Sequence, residues 1–296
     1  MQESNTIIVT GSNGQLGSEL KELASLYPQY LFVFLGREDV SINDQNALDK
    51  VFSSHKPYAL INCAAYTAVD KAEEEIDKAF DINGTAVGTL AQLSRQHGTK
   101  FIHISTDYVF DGNARSPLKE EDAVSPVNKY GESKLKGEEL ALLNNPDSII
   151  IRTSWVYSFY GKNFVKTMIR LMKEKESINV VRDQLGLPTY AADLAAAIMH
   201  IIQSGQLNRW FPGIYHYSND GMISWYDFAE KIRSLIHSFC KVNPIPTEQF
   251  PTPAKRPHYS VMDKTKIQKT FNLPIIPWEE SLKRCIEKLE PGFGGI

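Results

Sequence analysis

The stretch "TIIVTGSNGQLG", residues 6–17, decides the fold. It starts as an apolar, β-branched run of the kind found in strands buried on both faces of a sheet. Glycines then stand at positions 11, 14 and 17, and the pattern turns helical in "LGSELKELASL" (16–26). Glycine permits a tight turn and lets backbone N–H groups approach a pyrophosphate, while the helix N-terminus adds partial positive charge. The spacing alone is weak evidence, because an ordinary structural turn also explains it. Placed directly between a strand and a helix, Gly11, Asn13, Gly14, Gln15, Leu16 and Gly17 read as a dinucleotide-binding turn.

The same alternation continues outward. "LFVFLG" (31–36), "YALINCAA" (58–65), "KFIHIST" (100–106) and "SIIIRTS" (148–154) read as strands. Helical periodicity lies between them at 44–54, 77–97 and 128–143. Apolar strands separated by helices predict a doubly wound parallel sheet of Rossmann type, with ligands at the carboxyl ends of its strands. The second half is mixed. "NFVKTMIRLMKEK" (163–175) and "SWYDFAEKIRSLIHSF" (224–239) read as amphipathic helices, the latter with Ser224 as N-cap. Five of the fifteen prolines fall in 244–258 and predict an extended, irregular loop there. These features predict a dinucleotide-binding domain over 1–155. A smaller α/β substrate-binding lobe is predicted over 156–296, with segments returning to the sheet.

Composition excludes several partners. A net charge of −3 offers no nucleic-acid surface, and the longest apolar run, "YLFVFL", is far too short to span a membrane. The N-terminus shows no basic segment followed by an apolar one, so no signal peptide is expected. Cys63, Cys240 and Cys285 lack paired spacing and read as reduced thiols of a cytoplasmic protein, not as a disulfide or metal framework.

Two further features carry chemistry. In "LGREDVSI" the second strand ends at Gly36, where related folds often carry an acid for the ribose hydroxyls. Arg37 follows, which suits a 2′-phosphate, and the loop continues through Ser41 and Ile42. The plainer reading is a solvated surface arginine, and Glu38 and Asp39 stand near enough to pair with it. In "YGESKLKGE", Tyr130 and Lys134 share one helix face. A neighbouring ammonium favours a phenolate, so the pair can serve as an acid–base group. Such a pair on an arbitrary helix is commonly only a surface contact. Here it follows both a glycine turn and a strand that ends in "STD", with Thr106 lying 24 residues before Tyr130.

Seven motifs in order, "GSNGQLG", "NCAAYTAVDKAE", "STDYVFDG", "YGESKLKGE", "RTSWVY", "DQLGLPT" and "PTPAKRP", resemble the extended short-chain dehydrogenase/reductase family over nearly the whole chain. The resemblance implies reduction of the C4 keto group of dTDP-4-dehydro-L-rhamnose by NADPH, with NADH also accepted. It implies a Thr106/Tyr130/Lys134 triad in which Tyr130 donates the proton. Lys134 would hold the nicotinamide ribose and depress the tyrosine pKa. Cys63, Ala64, Ala65, Tyr66 and Thr67 would line the cofactor. Thr106, Asp107, Tyr108 and Trp155 would contact the dTDP-sugar, with Tyr108 and Phe110 shaping the pocket or else lying in the core. Arg256 would pair with the substrate pyrophosphate or be a solvated loop charge. Asn163 and Gln184 fall in matching motifs without an assigned role.

Some members of that family form a metal-bridged dimer through glutamates. Glu19 stands at the first such place here, but the second offers Ala192 with Asp193 one residue on. The pattern argues against a bound magnesium ion and against a dimer built on one, and leaves a homodimer of another kind open. Two rivals remain. A nucleotide-sugar 4,6-dehydratase carries an acidic pair after the threonine, whereas Tyr108 follows Asp107 here. A non-catalytic dinucleotide-binding regulatory subunit would not need the intact triad.

Overall fold

The computed structural model describes residues 5–207 and 209–290. Six parallel strands form one sheet. Five come from the first half: β1 (Thr6–Thr10), β2 (Leu31–Leu35), β3 (Ala59–Asn62), β4 (Lys100–Thr106) and β5 (Ile149–Thr153). The sixth strand, Gly213–His216, pairs with β5 and gives the order 2-1-3-4-5 followed by that strand. The direction of winding reverses beside β1. That reversal opens a crevice at the carboxyl ends of β1 and β3, the usual place for a ligand.

Alternation along each strand builds a core on both faces. Ile7, Val9, Ile149 and Ile151 pack against α1 (Gln15–Leu23) and a later helix, Ala191–Gln206. Ile8, Leu60, Phe101 and Ile150 pack on the other side. There they meet α2 (Gln45–His55), α4 (Ala86–Gln96) and α5 (Lys129–Asn144). The helix predicted over 77–97 is split. α3 (Ile76–Phe80) runs into a π-turn at Asp81–Thr85 before α4 begins. The strand Gly213–His216 was not predicted.

A second core joins α6 (Phe164–Glu174), the helix Trp225–Leu235, the helix Trp278–Leu289 and the parallel pair Ser177–Val181 with Lys241–Ile245. Ser224 caps its helix through a reciprocal pair with Asp227. Part of the proline-rich segment is ordered: residues up to Ile245 lie in that strand, and Thr247–Gln249 make a single 3₁₀ turn. No helix among the described residues is long and apolar enough to cross a membrane.

Candidate active site

Gly11 lies at φ 67°, and a Cβ there would meet the Ala64 backbone nitrogen at 2.5 Å. Gly17 sits over the turn, where a Cβ would lie 2.4 Å from the Gly11 carbonyl oxygen. Both positions therefore require glycine for the backbone to close. The turn opens on a cleft of about 480 Å³. Eleven of the residues expected to bind cofactor line it: Gly11, Asn13, Gly14, Arg37, Ser41, Ile42, Cys63, Ala64, Ala65, Tyr66 and Thr67. Gln15 instead reaches the Val156 carbonyl and Asn163, while Leu16 is core. The chemistry of the lining fits a dinucleotide: a glycine turn for phosphates, and an exposed guanidinium at the rim.

Neither acid near Arg37 takes it up. Asp39 accepts from the Gly36 backbone N–H at 2.7 Å, and Glu38 accepts from Asn13. Arg37 is exposed and makes no ion pair among the described residues. The expected opposition from Glu38 and Asp39 is thus corrected: each carboxylate is already held by a nearer donor.

The loop 63–67 is fastened to α5 by a residue absent from the sequence reading. Asn83, in the π-turn, accepts from the Tyr66 N–H at 2.8 Å and donates to the Tyr66 carbonyl at 3.0 Å and to Ser133 Oγ at 2.9 Å. A π-turn often marks a functional site. Its only trace in the sequence is the Asn-Gly pair inside a helical pattern.

β4 ends on Thr106, the 3₁₀ turn that follows begins with Asp107, and α5 carries Tyr130 and Lys134. Asn128 caps α5 by accepting from the Gly131 N–H at 2.8 Å. Thr106 Oγ1 donates to Asp107 Oδ1 at 3.0 Å and accepts from the Tyr108 N–H at 3.2 Å. Burial pushes Asp107 up to about 6, against the hydroxyls of Ser260 and Thr106. The ring of Tyr108 meets Tyr130 edge-on at 5.6 Å.

The expected depression of Tyr130 by Lys134 does not occur in this state. Burial pushes the phenol up to about 12, although the Thr106 hydroxyl favours its ionisation. The reason lies in Lys134, whose Nζ is turned to donate to the Ile104 carbonyl at 2.6 Å. Burial brings the lysine itself down to about 8, opposed by Glu138 and Cys63.

Phe110 belongs to the core. It is 1% exposed, packs with Val109 and Leu118, and lies under the Arg152 guanidinium at 5.1 Å. Trp155, at φ 47°, stacks on Trp225 with ring centres 3.5 Å apart. A non-glycine residue in that region stores strain of ~1–3 kcal/mol. Arg256 is not a solvated charge. It forms a two-pronged pair with Asp70 at 2.6 and 2.7 Å, which lowers the Asp70 carboxyl. Asp70 also accepts from the Ala254 N–H, and Asn128 donates to the Lys255 carbonyl. The loop 254–256 is thereby clipped to the start of α5. Asn163 caps α6, and Gln184 donates to Thr247.

The residues present do not fit a metal at the glutamate position. Glu19 is buried, accepts from Ser158, and has its carboxyl raised by that burial. Asp193 is held by Arg284, Asn219 and Ser281.

A parallel sheet of this order, with a glycine turn at its crevice and a Tyr/Lys pair beside it, defines a Rossmann-type dinucleotide-dependent reductase or epimerase. The chain belongs to the family described as RmlD substrate binding domain, whose model matches residues 5–290. It is 40% identical over 286 residues to a dTDP-4-dehydrorhamnose reductase of Aggregatibacter actinomycetemcomitans, covering 94% of this chain and 97% of that protein. A solved dTDP-4-dehydrorhamnose reductase of Clostridium acetobutylicum matches with a TM-score of 0.92 and 41% identity, over 96% of this chain and 99% of the other. That of Bacillus anthracis, in complex with NADP, matches with a TM-score of 0.91 and 40% identity, over 97% and 100%.

Proposed function

We propose that this chain is an oxidoreductase that converts dTDP-4-dehydro-L-rhamnose to dTDP-L-rhamnose, using NADPH in preference to NADH. The observation that carries the reading is the glycine-lined cleft with Tyr130, hydrogen-bonded by Thr106, packed at the Tyr66 cluster on its wall and Lys134 acting on Cys63 of its lining. The dTDP-sugar assignment draws on relatives that carry that activity in their names and align over nearly their full length. A reduced nicotinamide bound in the cleft supplies a hydride to C4 of the sugar. Tyr130 holds its proton at neutral pH because burial raises the phenol, and it gives that proton to the oxygen at C4 as negative charge develops there. Thr106 hydrogen-bonds the same oxygen or the phenol. Lys134 holds the cofactor ribose and offers positive charge against the phenolate left behind. Asp107 orients Thr106. Tyr108 and Trp155 border the sugar, and Arg256 faces its pyrophosphate with Asp70 as counter-charge. A coupled assay from dTDP-glucose with the upstream enzymes tests the reading: dTDP-L-rhamnose is expected, and cofactor binding without product would favour a regulatory subunit instead.

Cofactor choice gives a separate test. Arg37 can offer a planar, charged fork to a 2′-phosphate, and the neighbouring Glu38 and Asp39 carboxylates are engaged by Asn13 and the Gly36 N–H and do not pair with it. At an exposed site the preference for NADPH over NADH is expected to be roughly 10-fold. Arg37→Ala should collapse that ratio in kcat/KM. An unchanged ratio would make Arg37 a surface charge only.

Trp155→Ala is expected to raise KM for the dTDP-sugar several-fold and leave the cofactor Kd alone. Its partner Trp225 loses a stacking face, so the thermal midpoint should fall as well. Weakened cofactor binding would place Trp155 in the other half of the site.

A further inference from the structure

His103 stands in the middle of β4, fully buried behind Lys134. Its Nδ1 lies 3.0 Å from Asn62 Nδ2, and its Nε2 lies 3.4 Å from Lys134 Nζ. The Asn62 amide can face only one way. Its Oδ1 accepts from Thr10 Oγ1 at 2.7 Å and from the Ala64 backbone N–H at 3.1 Å, and a backbone N–H can only donate. The Asn62 NH₂ therefore donates to His103, and Nδ1 is the unprotonated acceptor. Burial keeps the ring neutral, so its proton sits on Nε2 and points at Lys134.

That N–H opposes an ammonium, donor against donor, but can donate to a neutral amine. We propose that His103, locked by Asn62 in the Nε2–H form, is a positioning residue for Lys134 that governs the lysine's protonation and so sets the alkaline limit of the reduction. The proposal rests on the reading above that Lys134 serves the reaction. Its charge counters the Tyr130 phenolate, so loss of the ammonium should slow turnover. The Ile104 carbonyl accepts from Nζ, and the other titratable groups acting on Lys134 are Cys63 from the loop after β3 and Glu138 from its own helix, both of which favour the ammonium. Glu138 is itself paired with Arg152 of β5. Burial outweighs them, in keeping with a limit near pH 8.

Three measurements on the NADPH-saturated enzyme test this. The wild-type kcat profile should fall with an apparent pKa near 8. Asn62→Asp keeps Oδ1 for Thr10 and Ala64 but replaces the NH₂ with an acceptor. That draws the imidazole proton to Nδ1, turns the Nε2 lone pair toward Lys134, and should move the alkaline limb up by about one pH unit or more. His103→Asn keeps an acceptor for Asn62 while removing the group that faces Lys134, and should shift the limb the same way. A uniformly lower rate with an unmoved limb in both variants would make His103 merely structural and overturn the proposal. Nitrogen-15 NMR of the wild-type ring needs neither variant nor turnover. A protonated Nε2 and bare Nδ1 are expected, and the opposite tautomer would overturn the proposal even if the enzyme is the reductase described. Failure of the wild type to reduce the dTDP-sugar, with the expected tautomer present, would instead count against the proposed function.

Discussion

Tyr130→Phe is expected to lower kcat by ~10²–10⁴-fold, the usual contribution of a positioned general acid, with cofactor Kd nearly unchanged. The ring keeps its packing against the cluster of Tyr66, Ala72 and Ala79 and its edge contact with Tyr108. Only the hydroxyl disappears. Burial that raises the phenol to about 12 suits a reduction, because the donor stays fully protonated through neutral pH and faces an alkoxide more basic than itself. Initial rates with the dTDP-sugar, together with quenching of protein fluorescence by NADPH, separate the two effects. Wild-type turnover in the variant would remove Tyr130 from the mechanism.

The raised phenol also shows where sequence reasoning stops. The spacing of Tyr130 and Lys134 places both on one helix face, and the structure agrees. What spacing cannot convey is that Lys134 Nζ finds the Ile104 carbonyl and the His103 ring. His103 lies inside a strand that reads as an apolar run, and Asn62 only opens a motif matched as a whole, so neither was given a role. The glycine turn was legible because its demands are local: a positive φ at Gly11 and a close approach at Gly17. The first five strands were legible because strands buried on both faces are apolar throughout. The sixth was not, since Gly213–His216 is short and its pairing with β5 joins segments more than sixty residues apart. The same non-locality hid the stacking of Trp155 on Trp225 and the pairing of Asp70 with Arg256. Those contacts depend on how the chain returns upon itself. They turned a residue read as either a pyrophosphate contact or a free loop charge into one with a fixed partner.

A buried ion pair supplies the second large effect. Glu138, one turn after Lys134 on α5, meets Arg152 on β5 through Nε–Oε1 at 3.0 Å and Nη2–Oε2 at 2.7 Å. Both side chains are 2% exposed. Glu138 also accepts from Ser105, the residue before Thr106. One carboxylate thus ties together β4, β5 and α5 next to Thr106 and Lys134. Removing it strands a buried guanidinium beside the Phe110 ring and the His216 imidazole, which burial and Arg152 itself hold neutral. Glu138→Leu is therefore expected to destabilise the protein by ~3–5 kcal/mol, because breaking one side of a buried pair leaves an uncompensated charge. Such a loss corresponds to a fall in thermal midpoint on the order of 10 °C for a chain of this size. The pair is not expected to be intrinsically strong, since desolvating two ions offsets most of their attraction. The double variant Glu138→Leu/Arg152→Met should accordingly recover most of the lost stability. Urea unfolding of wild type, the single variant and the double variant measures this directly. A single variant within 1 kcal/mol of wild type, or a double variant no more stable than the single, would show that the buried guanidinium finds another partner once Glu138 is gone.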